Sequence, residues 1–380
     1  MQGIAVPSES VRPAEFFART RRRTFNEGNQ TWGGFGGQNT WELKKSDIIA
    51  VAVIRFTGSL VVTPGTGSVA STARWPYDML KAVRFTANGA SNVINASGLK
   101  LKVREYQKRG DANDRGVTQT IGGVSVNQGT LSQSSESWGV GSNTSALTGG
   151  TFPVDLYWVV PIAEDEVDLS GAIFAATSST DLTIQVDSET AANLFALTGN
   201  ATVALTGNMQ TTTIKYSIPI GSDGQIVVPD LSLFHSYIQS RTTQLGTGGN
   251  EVRLIGQGAG KTLLRTSFQT WNGSPSAPLP MTDTNYGEIA WRYGSNETPD
   301  DYLSGSVLRQ INERTYNTDI GKVWGFGTVD FAAENAFRDA VDMGTTSDLR
   351  LLATLQSGVT LNAAAFEYVQ ETIFQAGAGS

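Results

Sequence analysis

At 380 residues the chain exceeds the size at which one hydrophobic core stops growing, so two domains are expected. Apolar residues make up 39% and charged residues 17%, with 42 Gly, 8 Trp, 10 Tyr and 16 Phe; this excludes a chain unfolded by self-repulsion and suits short strands joined by many turns. A net charge of −7 excludes a protein that coats nucleic acid, and the absence of cysteine excludes disulfides, thiol catalysis and thiolate metal sites.

Residues 1–40 read as an arm. The opening MQGIAVPSESVRPAEFFARTRRR has no apolar signal core, and the longest apolar run, Ile48 to Ile54, is far short of a membrane span, so folding and assembly in a host cytoplasm are expected. Pro13 suits the first turn of a helix over Pro13–Arg23, with Phe16 and Phe17 on one side, and the Gly-rich GNQTWGGFGGQNT after it has no periodicity. Arg19, Arg21, Arg22 and Arg23 stand against the acidic average. With Phe16 and Phe17 beside them they are expected to form a membrane-facing arm, each cation contributing roughly 1 kcal/mol near an anionic bilayer. A solvated tail is the plain alternative.

Runs rich in β-branched residues follow, bounded by Gly, Pro, Asn or Asp: IIAVAVIRFT, SLVVT, AVRFTAN, LKLKVREY, PVDLYWVVPIA, DLTIQVD, ATVALTG and TTTIKYSIPI. After a break at Gly221-Ser-Asp-Gly224 comes a second series: QIVVP, EVRLIG, TLLRTSF, EIAWRY, VWGFGTVDF, LRLLATL and AAAFEYVQETIF. Helical pattern is confined to connectors at Asp165–Ala175, Asp230–Gln239, where Asp230 would cap the first turn, and Asp301–Thr315. The expected fold is all-β: two successive eight-stranded jelly-roll β-sandwiches over residues 41–218 and 219–380, with short connector helices. A faint repeat accompanies this division, since Trp158 precedes Asp181 by 23 positions and Trp324 precedes Asp348 by 24.

Motifs with catalytic overtones dissolve on spacing. LIGQGAGKTLL, Leu254 to Leu264, places Ile255 where a phosphate-binding loop needs glycine, and TLLRTSFQTW after it reads as a strand rather than the helix that would hold a phosphate. Gly65-Thr-Gly67-Ser-Val-Ala70 matches a loose dinucleotide pattern, but Val69, Thr72 and Pro76 argue for a loop between strands. The single histidine, His235, has Asp230, Ser232 and Ser236 nearby, yet one short helix cannot set nucleophile, base and acid in sequence, so an ordinary helical histidine is expected. Glu164, Asp165, Glu166 and Asp168 could bind calcium, but a charged surface loop at a helix start explains them better, since acids favour the N-terminal turn. No catalytic residue, cofactor or metal is therefore expected.

LYWVVPIAEDEVDLSGAIFAATSSTDLTIQVDS, residues 156 to 188, resembles the major capsid proteins of tectivirus-type phages, the double jelly-roll lineage that includes adenovirus hexon. An aromatic strand ends in Pro161, an acidic stretch leads into Asp168-Leu-Ser-Gly171, and a further strand returns. GQIVVPDLSLFHSYIQ, Gly224 to Gln239, looks like the passage between the two jelly rolls, and RQINERTYNTDIGKVWGFGTVDF, Arg309 to Phe331, like the approach to an aromatic strand of the second, with Ile320-Gly321-Lys322 where a Pro-Gly turn is expected. The resemblance implies a major capsid protein: a homotrimer forming pseudo-hexagonal capsomers of an icosahedral shell over an internal membrane and double-stranded DNA. Its partners would be neighbouring capsomers, penton and minor capsid proteins and, through the arm, the viral membrane, with no sequence-specific contact to nucleic acid. The rival reading is a β-sandwich carbohydrate-binding or adhesive surface protein.

Overall fold

The computed structural model describes residues 13–375 apart from 88–89, 110–115, 122–123, 128–145, 177–180, 222–223, 243–244, 255–259, 275–276, 295–300, 318–324, 334–339 and 345–347. The strands of the first half are β1 (Arg22–Thr31), β2 (Gln38–Glu42), β3 (Ile48–Thr63), β4 (Leu80–Ala87), β5 (Ala90–Ala96), β6 (Gly150–Pro161), β7 (Leu182–Ser188) and β8 (Thr202–Tyr216), of which β3, β4, β6, β7 and β8 lie on the expected runs. In β7 each second residue is buried, which is the pattern of a strand with one face on a core. Sheet order β1-β8-β3-β6 makes one wall of a sandwich, and β5-β4-β7-β2 makes the other. Between them lie Phe56, Trp75, Phe85, Leu156, Trp158 and Ile184, all essentially inaccessible. Where β3 and β8 cross, Gly58 pairs with Gly207, and a Cβ on either would come within 2.9 Å of the opposite backbone and of the Phe56 ring.

The second half repeats the plan. Its strands are β9 (Leu233–Thr242), β10 (Gly249–Arg253), β11 (Lys261–Ser274), β12 (Ala277–Pro280), β13 (Tyr286–Arg292), β14 (Phe326–Asp330), β15 (Arg350–Leu355) and β16 (Ala365–Gln375). Order β12-β11-β16-β9 forms one wall, with β14 also on β11, and β10-β15-β13 forms the other, closing over Leu263, Phe268, Trp291 and Leu351. The two halves share a sheet. β9 runs parallel to β5 through Tyr237–Ile94 and Ile238–Asn95, which fuses a wall of each sandwich into one 10-stranded sheet.

The longer helices among the described residues are α1 (Pro13–Arg19), α2 (Gly98–Arg109) and α3 (Gly305–Tyr316). Only α3 falls on an expected connector; Ser304 caps it, its side chain accepting from the Val307 amide. Asp230–Gln239 is not a helix. From Leu233 on it is β9, held in register with β16 from Leu233–Gln375 to Thr242–Phe366, and Asp230 instead accepts from the Ser232 amide in a tight turn. Asp165–Ala175 is not helical either, because Asp165 and Asp168 each bond the amide two residues on and Leu169 takes a left-handed φ of 60°. LKLKVREY, expected as a strand, is α2. The helix forms because two of its faces find partners: Leu99, Val103 and Tyr106 fill the first core, while Lys100, Arg104 and Gln107 form a neighbouring stripe, about 100° round the helix, toward the second half.

The arm differs from expectation as well. The helix stops at Arg19, and Arg22–Thr31 joins the first sheet by pairing with β8. QIVVP contributes only an isolated bridge, Ile220 with Ile226. The Gly-rich loop 255–259 and Trp324 lie outside the described residues, whereas TLLRTSFQTW is β11, as expected.

Candidate functional site

The chemistry of this chain is concentrated where α2 meets the second half. Period-3.6 spacing aims Lys100, Arg104 and Gln107 at β11, β14 and β16, whose inward side chains there are Gln269, Thr328, Glu367 and Glu371. Arg104 forks onto one oxygen of Glu371 at 2.9 Å through Nε and 2.6 Å through Nη2. Arg265 reaches the other oxygen at 3.0 Å and Glu164 at 3.3 Å, and Lys108 meets the same Glu164 oxygen at 2.5 Å. His235, wholly buried, sits between the Pro161 carbonyl at 2.7 Å and Glu371 at 2.9 Å. Burial opposes ionisation of Glu371, but the charges of Arg104 and Arg265 and the bond from His235 together outweigh it and hold the carboxyl well below the usual range.

A second cluster lies further along α2. Glu367 accepts from Arg74 at 3.0 Å and from the Trp271 indole at 2.9 Å, and lies 3.1 Å from Lys100, which also donates to Gln269 at 2.5 Å. Arg74 bonds Asp78 at 2.9 Å and lies 4.3 Å from the centre of the Trp271 ring. Burial raises the Glu367 carboxyl, yet Lys100 and Arg74 overcome it and bring it down to about 2. Asp78 moves the other way, raised by burial against the pull of the same cations.

These groups clamp; they do not catalyse. Carboxylates saturated by guanidinium groups are poor bases, and among the described residues the ring nitrogens of His235 face a carbonyl and a carboxylate rather than a nucleophile. Buried ion pairs of this kind fix geometry, since each member left alone costs several kcal/mol. Asp230, Ser232 and Ser236 form no triad with His235: Asp230 is turned into its own loop and exposed. Of the acidic cluster, Glu164 belongs to the clamp, Asp165 and Asp168 close turns, and Glu166 faces Arg22 at 3.4 Å. Among the described residues no group of three acidic or histidine side chains is arranged to hold a metal.

The expected arm residues divide. Phe16 is buried among Ile48, Ala163, Leu169 and Val228, and so is part of a core rather than a lipid contact. Phe17 packs edge-on against Phe16 at 5.3 Å and Tyr216 at 6.4 Å. Arg19, Arg21, Arg22 and Arg23 are all exposed.

A sequence model of the family described as P3 major capsid protein N-terminal matches residues 42–237, more than half of the chain. The chain belongs to the P3 major capsid protein family. As a major capsid protein it is a structural, non-enzymatic subunit of a virion, which assembles with neighbouring subunits into capsomers and shell. No curated protein matches the sequence. The fold is that of solved double jelly-roll capsid proteins. The major capsid protein of Sulfolobus Turreted Icosahedral Virus superposes with a TM-score of 0.66 at 15% identity, over 93% of this chain and 97% of that one. The Faustovirus major capsid protein gives 0.56 at 8% identity over 99% and 93%, and the major capsid protein P2 of bacteriophage PM2 gives 0.53 at 12% over 95% and 100%. The sequence had shown the family through the β6–β7 passage; it had not shown the clamp. The signal was there in the stripe Lys100, Arg104, Gln107, hidden by the Leu-Lys-Leu-Lys alternation that mimics a strand.

Proposed function

We propose that this major capsid protein forms homotrimeric, pseudo-hexagonal capsomers of an icosahedral shell built over an internal membrane and double-stranded DNA, with residues 41–218 and 219–380 as its two jelly rolls. The observation that carries the proposal is the clamp across α2 together with the shared sheet. Two sandwiches of like plan, held side by side as one body, give three chains six similar lobes, and permanent interfaces of that kind suit a stable closed ring. Neighbouring capsomers, penton and minor capsid proteins meet this ring at its sides, and the subunits assemble in the host cytoplasm.

The four exposed arginines are the part of the arm proposed to face the membrane. Arg22–Glu166 at 3.4 Å and Arg19–Glu15 at 3.5 Å leave both cations largely solvated, so anionic lipid can compete for them. Negative-stain electron microscopy of the purified protein tests the oligomer: hexagonal particles of about three chains are expected, and single two-lobed particles would refute it. Flotation with vesicles containing phosphatidylserine tests the arm. Replacing Arg19, Arg21, Arg22 and Arg23 by Ser should abolish binding, and undiminished binding would remove the arginines from the proposal.

A further inference from the structure

His235 is the one histidine in the chain, and its two ring nitrogens both face oxygen atoms. Nδ1 lies 2.7 Å from the Pro161 carbonyl, which can only accept. Nε2 lies 2.9 Å from Oε1 of Glu371, a carboxylate that Arg104 and Arg265 keep ionised and that can likewise only accept. A neutral imidazole has one N–H and one bare nitrogen. Whichever nitrogen were bare, its lone pair would point at an oxygen within 3 Å, at a site with a side-chain exposure of 0%.

We infer that His235 is built into the fold as an imidazolium, donating from both ring nitrogens, and that its second proton is a structural element of the clamp. The charges around it are these. Glu371 comes from β16, Arg104 from α2 and Arg265 from β11; Glu164, after β6, accepts from Arg265 and Lys108 and gives its backbone carbonyl to Arg104. Tyr237, two residues along the same strand, donates its hydroxyl to the Lys100 carbonyl and stays neutral. Asp330 lies beyond, 3.5 Å from Arg265. The loop after β6 packs directly on this residue, since a Cβ placed on Gly171 would sit 2.5 Å from the Cβ of His235.

The test is nitrogen NMR of the full-length protein labelled with 15N only in histidine, sedimented and spun in the solid state. The single residue gives one pair of ring signals. Two protonated nitrogens at pH 7.5 are expected; one protonated and one bare nitrogen at that pH would overturn the inference without any mutation.

Discussion

Around Leu156 and Trp158 the first sandwich is closed by apolar side chains from two sheets; one helix away, between the sandwiches, the same dryness is filled by Arg104, Arg265, Glu164, His235 and Glu371. The two regions resist change differently. An apolar core depends on volume, and it tolerates a swap that keeps shape. An ionic seam depends on completeness, because every member is a desolvated charge whose only compensation is its neighbours. The first holds a sandwich together; the second fixes one sandwich against another.

The largest effect is expected at Glu371. Glu371→Ala strands Arg104 without a counter-charge, removes the Nε2 partner of His235 and leaves Arg265 only Glu164 and Asp330, and it should lower stability in urea by about 3–5 kcal/mol. Leu156→Ala should cost about 2–5 kcal/mol from lost transfer and cavity terms, without changing how stability varies with pH. If the two variants show the same pH dependence, the distinction drawn between core and seam fails. A double-mutant cycle of Arg104→Ala and Glu371→Ala sharpens it, with an expected coupling of about 0.5–3 kcal/mol, whereas an additive result would make the seam mere packing.

Acid probes the second cluster. Glu367 is held at about 2 in the fold against an ordinary 4.5, so its contribution is complete above pH 4.5 and disappears as pH falls toward 2. Glu367→Gln should flatten that stretch of a stability–pH curve measured by tryptophan fluorescence; an unchanged acid limb would place the loss elsewhere. The smallest effect belongs to the surface. Arg55 and Asp155 form a bidentate pair on β3 and β6 at 2.8 and 2.7 Å, yet Arg55 is 52% exposed, so Arg55→Ala should change the urea midpoint by no more than about 1 kcal/mol.

What could be read from sequence followed the same division. Strands with one face on an apolar core announce themselves by period, and β3, β4, β6, β7, β8, β11, β13, β15 and β16 all lie where alternating runs stood. The errors fall where polar side chains are buried. α2 alternates Leu and Lys because both sides of it are interior, and Asp230–Gln239 carries Asp and Ser that mimic a helix cap while ten pairings with β16 decide its state. Phe16 was legible as apolar but not as core, since the loop residues that cover it, among them Leu169 and Val228, are distant in the chain. Long-range charge pairs leave no periodicity at all: Arg104 and Glu371 are 267 positions apart.

That separation also orders events in time. A ribosome adding residues at about 5–20 per second needs on the order of 10–50 s to go from Arg104 to its partner. Throughout that interval α2 carries lysine and arginine destined for a dry site, and until β9 is made the edge of β5 lies open. The seam of the first sandwich is therefore incomplete during synthesis until β16 arrives, threaded between β9 and β11.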